Sequence, residues 1–522
     1  MGVAEIYVIT TKFSIFVINS EIVRMLTNIE IEITPVEELI DALKEKIGEY
    51  FLQDATDDFI SPYIETDLAN LVDELRDDLY CLIEYPYVDK VYRDSYYNYY
   101  SSKHFAYKRD CIRVSLFSGE ISHLEFFDLQ KHSELDAKFL GYFVIRPTIN
   151  ALFGRSIISP KAFETNHFQI CSCKTDCLIY GVKLGVEGFP HSSQDGETIK
   201  CAETTIWALM EYFGNKYAEY KPALPAKIHA ALERFSYQRQ LPSNGLTMDQ
   251  ISFALKEFGF GTSIYSKGAY GNELYNIIDS YVESGIPVIV GLQSADIGHV
   301  IIAVGKKFDP KVDWSQVDQS KIEIDGKEID YYETTNIPAK YIVQDDNHAP
   351  YREIELTNPG EHYDDPDCQG YEIDSIVVPL YPKIYLESFV AKQLVLNVIQ
   401  DSNVGYKFQD GFVFRFFLTS SRSFKAHITK QSEMEPALKN SILLSKMPKF
   451  IWVGEFYVKG SFATENMIAE SIVILDATEA NQESIDALIF AGYPDRCISM
   501  NDNNFVTLHQ VFQNYRYYSN LK

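Results

Sequence analysis

The spacing of apolar residues changes character several times along the chain. "VEELIDALKEKIGEYFL" (36–52) and "DLANLVDELRDDLYCLIE" (67–84) carry aliphatic residues three and four apart, which predicts helices. Runs rich in β-branched and aromatic residues follow, "CIRVSLF" and "KFLGYFVIRPTI", and predict strands. The first residues, "MGVAEIYVITTKFSIFVINSEIV", mix apolar and polar positions at strand-like spacing. The stretch "YPYVDKVYRDSYYNYYSSKHFAY" (85–107) is dense in tyrosine and predicts β-rich structure with amphipathic surfaces.

Residues 186–360 have the pattern of an independent α+β unit. The turn-rich entry "GVEGFPHSSQDGET" leads into an amphipathic helix over 202–213, with Gly214 placed to stop it. Helices near 225–236 and within "TMDQISFALKEFGFG" (247–261) follow, the second with Thr247 as N-cap. "YNIIDSYVESGIPVIVGLQ" predicts a helix that turns at Gly-Ile-Pro into an apolar strand, and "GHVIIAVGKKF" is its hairpin partner. After an acidic excursion over 313–335, "AKYIVQDDN" is a strand ending in two aspartates. The region 370–522 predicts an α/β accessory domain, with strands "GFVFRFFLTS", "KFIWVGEFYVKG" and "ESIVILDAT" and a terminal helix "NNFVTLHQVFQNYRYYSNL". The division is therefore a mixed α+β region at 1–185, the central unit at 186–360 and the C-terminal domain at 370–522. A chain of 522 residues is too long for one ordinary core.

Charge narrows the function classes. The net charge of -27 leaves no basic stripe for phosphate backbones or anionic lipid. Residues 35–80 hold fourteen Asp and Glu against three Lys and Arg, a solvated helical face or a docking face for a basic protein. No run of eighteen apolar residues predicts a membrane span, and the start has neither the basic segment nor the cleavage box of a secretory signal. Eight scattered cysteines do not form a disulfide framework and fit a reducing, cytoplasmic compartment. "HFQICSCKTDC" puts His167, Cys171, Cys173 and Cys177 close together, but without the paired spacing of a zinc site; half-buried strand cysteines are the plainer expectation. Arg146 and Arg415 lie in extended segments of an acidic chain, where ion pairs are expected of them.

Three segments of the central unit carry a chemical pattern. Cys201 opens a helix, where aligned peptide dipoles favour a thiolate and free N–H groups favour a developing oxyanion. His299 begins a strand and has the chemistry of a general base and acid. Asp345 or Asp346 at a strand end could fix the imidazole's tautomer and orientation. His348, in the loop beyond, is a second candidate base. Glu203, in the first turn, would oppose thiol ionisation if it faced inward.

"QDGETIKCAETTIWALMEYFG", "SGIPVIVGLQSADIGHVIIAVG" and "YIVQDDNHAPY", in this order, resemble the papain-like cysteine peptidases, most closely the C39-like branch. The resemblance covers only the central unit. It implies a papain-like fold there and hydrolysis of a peptide or isopeptide bond in a peptide or protein substrate, with no metal or organic cofactor. Carried over by position, Cys201 is the nucleophile, His299 the base and acid, Asp345 (or Asp346) the orienting residue and Gln194 the oxyanion donor. Gln194 stands seven residues before the cysteine, where six is the common papain-like spacing. A transglutaminase-like acyl transferase, or an interaction protein that keeps the fold without activity, are the alternatives.

Overall fold

The computed structural model describes residues 29–51, 68–148, 153–165, 168–235, 241–243, 245–295, 297–307, 312–462, 467–480, 485–501 and 504–522. The strand-like opening stretch and His167 lie outside the described residues. Among the described residues the architecture is α+β, built on three large sheets.

The first sheet is antiparallel throughout. Its order is Glu30–Pro35, Leu79–Tyr87, Cys111–Ser118, Phe139–Ile145, Phe153–Ile158, Val182–His191 and Cys173–Ile179. The second runs Arg352–Ile354, Tyr341–Gln344, Gly298–Lys307, Val288–Gln293, Glu372–Leu380 and Gly261–Ser266, and Phe168–Ile170 also pairs with Gly298–Lys307. The third runs Gln319–Ile324, Lys327–Glu333, Phe412–Ser420, Phe450–Val458, Ser471–Asp476, Leu488–Gly492, Cys497–Asn501 and Asn504–Leu508. Its single parallel pairing joins Lys327–Glu333 to Phe412–Ser420. The sheets thus cross sequence regions: Val182–His191 completes the first sheet, Glu372–Leu380 lies inside the second, and the acidic excursion forms a hairpin given to the third. One continuous apolar core draws residues from all three sheets.

The helix Cys201–Lys216 lies against strands of the first two sheets and the helices Pro225–Glu233 and Met248–Glu257. Every residue from Ala202 to Phe213 is buried, so it is enclosed on all sides and is not the one-faced amphipathic helix expected. Its buried Glu211 is neutralised by Arg155 (2.7 Å) and Lys90 (2.9 Å). Gly214 lies inside the helix and does not end it. A Cβ there would sit 2.4 Å from Pro222 Cδ and 2.5 Å from Pro222 N, so the glycine permits the following chain to cross the helix closely. Gly214→Ala gains up to about 1 kcal/mol of helix propensity but overpacks a rigid ring, at a cost of about 1–3 kcal/mol. The expected result is net destabilisation, read as a lower urea midpoint at unchanged m.

Other elements correct the sequence reading. Only Ala69–Glu74 of 67–84 is helical, and Leu79–Tyr87 is a nine-residue strand. The tyrosine-rich segment contains the helix Lys90–Asn98, capped by Asp89 through Val91 N and Tyr92 N. The C-terminal stretch is no helix: Asn504–Leu508 and Tyr515–Arg516 are strands, and Asn514 between them has φ 58°. Met248–Glu257 is capped by Thr247 as expected. Among the described residues no helix is long and apolar enough to cross a membrane.

Candidate functional site

Asp195 builds the loop that delivers Cys201. Its buried carboxylate accepts from the backbone N–H of Glu197 (2.9 Å), Thr198 (2.6 Å) and Ile199 (2.9 Å), so the chain turns tightly before the helix. Lys200 is extended (φ -109°, ψ -175°) and Cys201 is the first helical residue, half-buried. The expected threat from Glu203 is absorbed locally. Its carboxyl accepts from the Ser243 hydroxyl and from Lys200 N at 3.3 Å, and burial pushes its pKa up, which favours the uncharged form.

His299 and Asp345 come from neighbouring strands of the second sheet. Ile302 pairs with Gln344 in antiparallel register, so the residue after Gln344 comes alongside the start of the histidine strand. There the two side chains bond, His299 Nε2 to Asp345 Oδ1, at 2.9 Å. Both are buried, at 5% and 0% exposure. Asp345 is held from several directions: Tyr363 Oη donates to Oδ2 (2.7 Å), Asn347 N to Oδ1 (3.0 Å), and Arg352 Nη1 lies 3.7 Å from Oδ2. Tyr363 meets the imidazole edge-on, and Tyr371 stacks nearly parallel to it with centroids 6.2 Å apart. The ring is therefore fixed in plane and orientation. The Cys201 thiol is among the groups that raise the pKa of this ring. With Nε2 committed to Asp345, Nδ1 is the ring nitrogen not bonded to that carboxylate.

The electrostatics favour charge separation. Burial alone would drive His299 toward its neutral form, but Asp345, the thiol and Asp346 outweigh it and hold its pKa well above the usual histidine range. Burial likewise opposes ionisation of Asp345, yet His299, His348 and Tyr363 hold that carboxyl well below the usual carboxylate range. Asp346 behaves differently: burial, helped by its neighbour Asp345, pushes it up to about 7. Its Oδ1 lies 3.9 Å from His299 Nε2, farther than Asp345. The geometry thus separates the two aspartates that the sequence left open, with Asp345 as the hydrogen-bonded partner.

Gln194 lies in the loop before Cys201, and its Nε2 donates to Asn347 Oδ1. This ties the loop to the turn after Asp345. His348 Nε2 is 3.9 Å from Asp345 Oδ2, on the side away from His299, and burial lowers its pKa. Tyr363, Tyr371, Arg352, Asn347 and Asp195 were not singled out from sequence. The only signal for the two tyrosines was their place in an acidic loop between two strands of the candidate unit. Cys171, Cys173 and Cys177 are buried, with thiol pKa values pushed up to about 12, 12 and 11 by burial. Among the described residues the metal-type donors that converge are His299, Asp345 and Asp346, not these cysteines. Arg415 is buried in ion pairs with Glu283 and Glu455, as expected of it, and Arg146 Nη2 donates to Ser193 O at 3.1 Å. No protein-family model and no curated protein matches this chain.

Proposed function

We propose that residues 186–360, completed by the strand Glu372–Leu380, form a papain-like thiol hydrolase of the C39-like kind that cleaves a peptide or isopeptide bond. One observation carries this reading. A half-buried cysteine at the start of a buried helix helps to raise the pKa of a histidine whose Nε2 is bonded to a fully buried aspartate. The chain order, cysteine helix, histidine strand, aspartate strand end, also supports it.

In this reading the Cys201 proton passes to His299 Nδ1 and the thiolate attacks the substrate carbonyl carbon. Charge on the carbonyl oxygen is met by backbone N–H groups of the first helical turn and by Gln194. An amide carries two N–H groups, so its bond to Asn347 leaves one for the oxyanion. His299 returns the proton to the departing amine, leaving a thioester on Cys201. Water, deprotonated by the same ring, then releases the acid and frees the thiol. Asp345 keeps the ring oriented through both steps.

The test is incubation with a library of peptides joined by α-amide and ε-isopeptide bonds, scoring newly freed amines by mass spectrometry. Amine release that Cys201→Ser abolishes is the expected result. Release only when a primary amine acceptor is supplied would make the enzyme a transferase. No turnover in either case, together with an unreactive Cys201, would leave an interaction protein.

A further inference from the structure

Asp346 is the residue this mechanism leaves without a task. Its side chain is 5% exposed, and neither carboxylate oxygen has a hydrogen-bond partner. Thr204, the nearby hydroxyl, donates to the Lys200 carbonyl at 2.9 Å. A buried carboxylate left unpaired either takes up a proton or calls for a compensating cation. What surrounds Asp346 is a set of further donors. One donor atom each from His299, Asp345 and Asp346 lies within 4.8 Å of the other two, and all three residues are buried.

We propose that His299, Asp345 and Asp346 form a binding site for a divalent transition-metal cation of the zinc class. From His299 Nε2 the aspartate oxygens lie at 2.9 and 3.9 Å. Two ligands each about 2.0–2.2 Å from one ion stand no more than about 4.4 Å apart, so both His299–aspartate separations lie within the span of one ion, and the three donor atoms, all within 4.8 Å of one another, need only a small side-chain adjustment to share it. Two carboxylates and a neutral imidazole supply two negative charges, which match a divalent ion and give the Asp346 oxygens the partner they lack. Imidazole and carboxylate donors together suit zinc, whereas calcium and magnesium prefer all-oxygen sets. Tyr363 and Asn347 N already hold Asp345, the kind of outer support that orients a ligating carboxylate. The adjoining loop is electronegative, with Glu361, Asp364, Asp365 and Asp367 exposed.

The site does not depend on Cys201 being a nucleophile, but it bears on that chemistry. A cation on Nε2 replaces the proton that His299 shares with Asp345. With Nε2 on the cation, the neutral ring carries its proton on Nδ1 and can no longer accept one from the Cys201 thiol. Metal occupancy is therefore a reversible block of the general-base step.

The experiment is Zn²⁺ binding to the full chain by equilibrium dialysis and calorimetry, with Asp346→Asn and Cys201→Ser alongside. One tightly bound equivalent is expected in the unaltered protein. Asp346→Asn, of the same shape, should weaken it at least about a hundredfold, and Cys201→Ser should leave it unchanged. If Asp346→Asn does not fold, judged by circular dichroism, His299→Gln takes its place with the same expectation. Three results overturn the proposal: no bound equivalent, binding that survives Asp346→Asn, or binding that Cys201→Ser abolishes, which would mark a site on the thiol instead. Alkylation of Cys201 in EDTA reports separately on the thiol chemistry, so either idea can fail alone.

Discussion

His299→Ala flattens the reactivity of Cys201 at acid pH. In EDTA, the unaltered protein is expected to label with iodoacetamide at Cys201 at acid pH, because an imidazolium beside sulfur favours the reactive thiolate. Removing the ring is expected to slow labelling at pH 5.5 by at least about tenfold, a difference that narrows as pH rises. Cys368, also half-buried, is the internal control, while the other six thiols are buried. Peptide mapping separates the two sites, and the Cys368 rate should not change. Equal Cys201 rates in both proteins across the range would remove the thiolate–imidazolium pair and the hydrolase with it.

Arg415→Met is expected to be the most destabilising single change in the accessory structure. Arg415 is 2% exposed; its Nε and Nη2 donate to Glu283 and its Nη1 to Glu455 Oε2 at 2.6 Å. The guanidinium lies 4.3 Å over Phe417 and 4.1 Å over Tyr517. Glu455, fully buried, also accepts from Tyr457 and Tyr515. The group fastens the third sheet to the helix Glu273–Glu283 of the central unit. Methionine keeps much of the volume but leaves buried Glu455 without a cation and Glu283 with Lys306 alone, which costs about 3–5 kcal/mol. The loss should depend on pH. Burial opposes ionisation of Glu283, but Arg415 and Lys306 outweigh it and depress its pKa to about 2. A depressed carboxyl stabilises the fold above its unfolded value of about 4.3 and loses that contribution as pH falls toward the folded value. In Arg415→Met the same carboxyl becomes costly to ionise. The difference between the proteins should be full at pH 7 and shrink below pH 4.5, as read by urea titration. Replacing Glu283 and Glu455 by apolar residues as well should recover much of the loss. A midpoint unchanged by the single substitution would mean that this cluster does not hold the units together.

The central elements were legible because their signals were local. Thr247 and Gln250 form a capping box, and Gly285 with Pro287 breaks the chain between a helix and an apolar strand. The cysteine, histidine and aspartates could be nominated from such marks. The failures were cases where tertiary contact overrode the local pattern. Leu71 and Leu75 have helical spacing, but the chain beyond Asp78 finds a strand partner on each side and extends. The C-terminal stretch has apolar residues at helical intervals, yet Phe505 and Val506 pair with Met500 and Ser499 across a hairpin, and Asn514 turns left-handed. Gly214 looked like a stop because its neighbour across the helix, Pro222, is fixed only by the fold. Within the site, the choice of Asp345 over Asp346, the two flanking tyrosines and the unpartnered carboxyl all arise from approach in space, and no spacing rule encodes them.

The hairpin Gln319–Glu333 bears on the order in which the molecule matures on the ribosome. It lies between His299 and Asp345 in the chain, but its lasting partner is Phe412–Ser420, which is made later. The strand that carries Asp345 is thus tethered to a surface that does not yet exist when the aspartate is synthesised. Cys201, His299 and Asp345 all precede that surface in the chain, so the strand pairing that anchors the segment between histidine and aspartate forms only after residues 412–420 have been made. For the proposed hydrolase, assembly of the site would therefore follow synthesis of the third sheet rather than of its own three residues.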